Sequence, residues 1–245
     1  MMQTLPLPAC RGRARLLIAL AAALGCAGQR PSVIGEPVAA ARPLPPDALQ
    51  TVLAGARDSL GDPELDGRRL PTDCSGYVRA LYARAGVDLF SEGRRADNGV
   101  RAIVRWVEIH GVLHRQKVPD PGDLVFFDNS YDRNGDGRLN DPLTHVGLVE
   151  EVLADGTALI VHATNHGIVR EPMNLLRPHQ TAGEDGRTIN APLRRKGRSD
   201  SPYTPHLMSE LFAGFGRVLP QPGISRAAAP SPPSTRRASD PAGTG

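Results

Sequence analysis

Aromatic residues and cysteine are both scarce in this chain. Phe, Tyr and Trp make up 4% of its 245 residues, and there are three cysteines. So few aromatics beside 23 prolines and 26 glycines means that part of the length builds no core. Long apolar runs are missing as well. The stretch Leu16 to Leu24 falls short of the about 20 residues that a membrane-spanning helix needs. This composition excludes a membrane bundle, a coiled coil and a collagen-like fibre. The centre also lacks an excess of positive charge. The formal net charge is +3, but Arg11, Arg13 and Arg15 at the start contribute +3. Near the end, Arg226, Arg236 and Arg237 against Asp240 contribute +2, which leaves −2 for the stretch between. The basic character belongs to the ends, so no nucleic-acid groove is expected in the folded part.

The ends have their own signatures. Three arginines, a short apolar run and the small residues of GCAG form the pattern of a secretory signal over residues 1–25. The stretch ALGC is similar to a bacterial lipobox, which implies lipidation of Cys26, with Ala23 standing where a leucine is usual. A lipidated Cys26 places the protein in the cell envelope as a membrane-anchored lipoprotein facing the periplasm; two or more acyl chains hold a protein stably on a bilayer. Residues 26–46 read as a Pro/Ala-rich tether and 221–245 as a disordered tail. A single domain is expected over 47–220, ample for one core. Cys10 leaves with the signal and Cys26 takes the lipid, so Cys74 stands alone. A lone thiol in an exported domain is either a buried small hydrophobe or a reactive group.

Within the domain, helices precede strands. Asp47 can cap a helix carrying Leu49, Val52, Leu53, Ala56 and Leu60, ended by Gly61. Asp73 precedes a second, with Cys74, Val78, Leu81, Tyr82 and Ala85 on one face and Gly86 as its stop. A third runs from about Asn98. After Pro121-Gly122, the segments DLVFF, HVGLVEEV, ALIVHAT and GFGRVL read as antiparallel strands, so the fold class is α+β. Residues 175–207 lack periodicity and are expected to form a long surface insertion.

Cys74 opens its helix, where free amides and the helix dipole would stabilise a thiolate and lower its pKa. A cysteine nucleophile needs a base, and the base needs an orienting partner. His145 and His162 sit on predicted strands; if these are adjacent antiparallel partners joined by a turn at Asp155-Gly156, both rings lie toward one end. Cys74, His145 and His162 then make a nucleophile, base and orienter. Asn165 or His166 could instead supply the third group. His110, His114, His179 and His206 are expected at the surface.

The segments DCSGYVRALY, PGDLVFF, THVGLVEEV, LIVHAT and GFGRVL, in this order, resemble the NlpC-type papain-like cell-wall peptidases. The resemblance implies a papain-like α+β core and cleavage of peptidoglycan stem peptides, commonly between γ-linked D-glutamate and a diamino acid. It implies Cys74 as nucleophile, His145 as general base and His162 as orienter, with Asp73 and Ser75 receiving polar groups of the substrate and the Cys74 amide near the developing oxyanion. The tyrosine usual upstream in that family is missing from LGDPELDGRRLPTDCSG. CHAP-like amidases share the order of Cys and His and would cut the sugar–peptide amide instead. A wall-binding module without activity, or a calcium-dependent interaction module, are the readings from other classes.

A second motif precedes His145. DRNGDGRLND places oxygens at loop positions 1, 3 and 5 (Asp132, Asn134, Asp136), Gly137 at 6, the Arg138 carbonyl at 7 and Asn140 at 9, as in an EF-hand calcium loop. Position 12 is Leu143, for which Asp128 or Asp141 could substitute. A structural calcium is the one metal expected, with no cofactor for catalysis. No CxxC or HxxxH spacing supports zinc. LRRKGR, from Leu193 to Arg198, reads as a solvated loop with a weak attraction to anionic wall polymers. Peptidoglycan is the expected partner, and the chain is expected to be a monomer.

Overall fold

The computed structural model describes residues 44–197 and 200–220. The signal (1–25), Cys26, nearly all of the tether (26–46) and the tail (221–245) lie outside the described residues. No helix among the described residues is long and apolar enough to cross a membrane.

Among the described residues three helices come first. Helix α1 spans Pro46–Asp58. Pro46 sits in its first turn, where a missing N–H costs nothing, and Asp47 lies inside that turn rather than capping it. Helix α2, Cys74–Ala83, is capped by Asp73, whose carboxylate accepts from the Gly76 amide at 2.8 Å. Helix α3, Gly99–His110, is capped by Asn98, which accepts from the Arg101 amide at 2.7 Å. Between α1 and α2 lies a two-residue hairpin, β1 (Glu64–Leu65) and β2 (Arg68–Arg69).

Six strands follow: β3 Gly111–His114, β4 Leu124–Phe127, β5 His145–Val152, β6 Ala158–Thr164, β7 Gly167–Met173 and β8 Phe212–Val218. They form one antiparallel sheet in the order β3-β8-β4-β5-β6-β7. With its three helices this is the α+β class expected. The sequence reading missed the two edge strands. β7 carries Pro172, which an edge strand tolerates because its outward N–H needs no partner. β3 is only four residues long and follows directly on α3.

Alternation along the strands divides the core. Leu124, Phe126, Val146, Leu148, Val161 and Ala163 face the helices. Val125, Phe127, Val149, Ala158 and Ile160 face the other way. That second face is covered by the segment expected to be a surface insertion. Leu175, Ala191 and Met208 pack there against β4, β5 and β6, and Ile189 and Leu207 are buried as well. The segment has no periodicity because side-chain amides, not helix or sheet ladders, satisfy much of its backbone. Buried Asn190 accepts from the Asn174 amide at 2.7 Å and donates to the Arg177 and Gln180 carbonyls; Asn174 accepts from the Leu176 and Arg177 amides.

Candidate active site

The geometry starts with α2. Its first residue, Cys74, is a free, half-buried thiol packed against the helix-side core. α2 lies on β5 and β6, which brings the sulfur beside the backbone amide of Val146, the residue after His145. The amides of Val146, Ser75 and Cys74 itself draw the thiol pKa down, as expected for a helix start. Burial, however, pushes the thiol up by more, with a further push from the Asp73 carboxylate, and the net shift is upward. The sequence-based expectation of a lowered pKa is therefore corrected, because the same packing that aims Cys74 at the sheet strips it of water.

His145 and His162 come together. His145 Nε2 and His162 Nδ1 are 2.8 Å apart, with the rings edge to face. Strand register explains this. Leu148 pairs with Val161, so Gly147 lies opposite His162, and a side chain at 147 would meet His162 Cβ at 3.3 Å. The glycine opens the space through which the two rings meet. Burial and the neighbouring His162 hold His145 well below the ordinary histidine range, at about 3. Among the described residues no hydrogen bond joins the Cys74 sulfur to the His145 ring, and burial favours the neutral form of each. Substrate-free sites commonly hold such pairs apart and tighten on binding.

His162 is fully buried, and its second nitrogen, Nε2, lies 3.0 Å from Glu171 Oε2 on β7. No motif pointed to Glu171. A hairpin reading of HATNHGIVREP could have found it: with the turn after Thr164, residue 169 falls opposite 162 and Glu171 projects from the same face two places on. Asn165 and His166 are exposed in that turn. Of the two residues flanking Cys74, Asp73 is exposed while Ser75 is buried. The Ser75 hydroxyl donates to Asp73 at 2.7 Å, and Gly99 lies so close that a side chain there would sit 2.1 Å from it. That leaves Asp73, not Ser75, open to a ligand.

Of the histidines assigned to the surface, His114 is a correction. It is buried, stacked on Phe215, and bonded to Asp123, which also pairs with Arg217. His110 and His206 are partly buried and lie beside Glu92 and Glu210; His179 is exposed.

The loop before His145 closes on itself. Asp132 accepts from the Gly135 and Gly137 amides, Asn134 from Asp136 and Asp136 from Arg138, while Asn140 donates to Asp136 at 2.8 Å. The two candidate substitutes at position 12 are engaged elsewhere: Asp128 accepts from the Leu143 amide and Asp141 from the Arg133 amide. Among the described residues no group of three His, Cys, Asp or Glu is disposed to hold a metal ion. The loop forms a hydrogen-bonded strut ending at His145.

No curated protein matches the chain. A solved structure described as similar to lipoprotein, NLP/P60 family, from Staphylococcus aureus subsp. aureus Mu50, is 18% identical with a TM-score of 0.37. The match covers 74% of this chain and 45% of that one, so this chain spans less than half of that protein. The NlpC/P60 family model matches residues 59–182, just over half of the chain. That span contains the Cys74 helix and the strands bearing His145, His162 and Glu171, and the chain belongs to the NlpC/P60 family.

Proposed function

We propose that the protein is an exported cysteine hydrolase that cuts peptide bonds in the stem peptides of peptidoglycan. Membership of the NlpC/P60 family supports a peptidoglycan hydrolase in general. The observation that carries the finer reading is the 2.8 Å bond between His145 and His162 on the strand whose next amide touches Cys74. In this mechanism Cys74 gives its proton to His145 and the sulfur attacks the scissile carbonyl. The Cys74 amide, at the start of α2, faces the oxyanion. The C–N bond breaks as His145 returns the proton to the leaving amine. A water deprotonated by His145 then hydrolyses the thioester. Contact between thiolate and imidazolium stabilises both charges, which offsets the neutral resting state.

Digestion of purified peptidoglycan, with mass spectrometry of the products, tests this. A stem-peptide endopeptidase leaves new termini after γ-linked D-glutamate; a CHAP-like amidase leaves free L-alanine amines and intact sugar lactyl groups. No release by the wild type above Cys74→Ala would favour a wall-binding module.

Two further parts of the reading rest on sequence alone. Lipidation of Cys26 anchors the protein in the envelope, and loss of membrane association in Cys26→Ala is the expected outcome. Calcium at Asp132, Asn134, Asp136, Arg138 and Asn140 is carried by ligand spacing only. Without a carboxylate at position 12 its binding would be weak, and a calorimetric titration showing no calcium-dependent heat would end it.

A further inference from the structure

Glu171 ends a row of three hydrogen-bonded groups, and the chemistry of that row fixes where the protons lie. We infer that Glu171 is a positioning residue that sets the tautomers of both histidines, and so makes His145 Nδ1 the atom that receives the Cys74 proton. The inference rests on the Cys74–His145 reading above and deepens it.

An ionised carboxylate only accepts hydrogen bonds, so the 3.0 Å contact requires His162 to carry its proton on Nε2. A neutral imidazole has one N–H, which leaves His162 Nδ1 bare. The 2.8 Å bond to His145 Nε2 must then be donated by His145. His145 consequently keeps a bare Nδ1, the one ring nitrogen not engaged by His162. When the Cys74 S–H bond breaks, its electron pair stays on sulfur and a new N–H forms at His145 Nδ1. The resulting imidazolium still donates from Nε2 to His162, and the Glu171 charge acts on it through that ring. Removing Glu171 frees His162, fully buried, to carry its proton on Nδ1 and donate to His145 Nε2. His145 would then hold its own proton on Nδ1, the nitrogen that should receive the proton of the thiol. Partners behind a metal-bound histidine fix its tautomer in the same way, and their loss costs about 10–100-fold in affinity or activity.

The test uses the full chain with 15N-labelled histidine. Wild type should show His145 and His162 both as Nε2–H tautomers near neutral pH. Glu171→Ala should move His162 toward Nδ1–H and His145 with it, and lower kcat on a stem peptide about 10–100-fold with little change in KM. Glu171→Gln, whose amide oxygen still accepts, should restore the wild-type tautomers and much of kcat. Unchanged tautomers in Glu171→Ala, or Nδ1–H tautomers in wild type, overturn the inference. Should Glu171→Ala fail to fold by circular dichroism, Glu171→Gln and Glu171→Asp carry the test, and loss of the wild-type tautomers in Glu171→Gln overturns it. The nitrogen spectra are independent of turnover. A chain that hydrolyses nothing yet shifts its tautomers as stated contradicts the proposed function and keeps the inference; Cys74-dependent hydrolysis without the tautomer shift does the reverse.

Discussion

Cys74 and His145 meet under opposing pressures. The helix start favours a thiolate, burial favours the thiol, and burial prevails. His145 is pushed the same way, toward its neutral form. Both shifts favour thiol and imidazole before substrate binds, and iodoacetamide should alkylate Cys74 at a rate that climbs through and beyond pH 9.0, the ordinary thiol value. A rate already flat by pH 7 would mean that an ion pair exists before substrate arrives. Cys74→Ala should remove hydrolysis, a loss of at least about 10³-fold, since nucleophile and base act as a unit. Cys74, His145 and His162 were legible in the sequence because each sits inside a short motif with a periodic neighbourhood. Glu171 was not, because it lies on an edge strand containing a proline and charged residues, and its importance depends on strand register.

At the scale of elements, two substitutions separate scaffold from chemistry. Asp73→Ala removes the cap of α2 and the partner of Ser75, which should cost about 1 kcal/mol in urea unfolding. Activity should fall further than stability, because the same turn aims the sulfur. Gly147→Ala would place a methyl 2.6 Å from Ile160 Cγ2 and against His162. Overpacking of this kind costs about 1–3 kcal/mol. It should also spread the His145–His162 pair, so kcat should drop more than the melting temperature predicts. The helices were readable from caps and apolar spacing. The loop from Asp132 to Asn140 shows the limit of such reading. Its alternating Asp and Asn match a calcium loop and a self-capped turn equally well.

For the whole molecule, the segment from Asn174 to Leu211 belongs to the core. Met208 is fully buried on the second face of the sheet, and Met208→Ala should cost about 2–5 kcal/mol. A value near zero would mean that the segment is an appendage after all. No periodicity announces this packing, since paired asparagines replace regular hydrogen bonds there. A second global feature is the cluster of His114, Asp123, Asp120 and Arg217 at the start of β4. Burial pushes the Asp123 carboxyl up, but bonds from His114 and Arg217 outweigh it and hold it below the ordinary range. Its contribution is complete above the ordinary carboxylate pKa of about 4 and is lost as pH falls through the lowered folded value. Urea midpoints should fall in acid in the wild type, and fall less in Asp123→Asn.

The central claim is that Cys74 carries the acyl half of a wall peptide during turnover. Quenching the reaction with a stem peptide in acid and mapping the added mass by peptide sequencing tests it most directly. An adduct with the mass of the acyl fragment is expected on Cys74, and none in His145→Ala. Turnover without any adduct on Cys74, or turnover by Cys74→Ala, would contradict it.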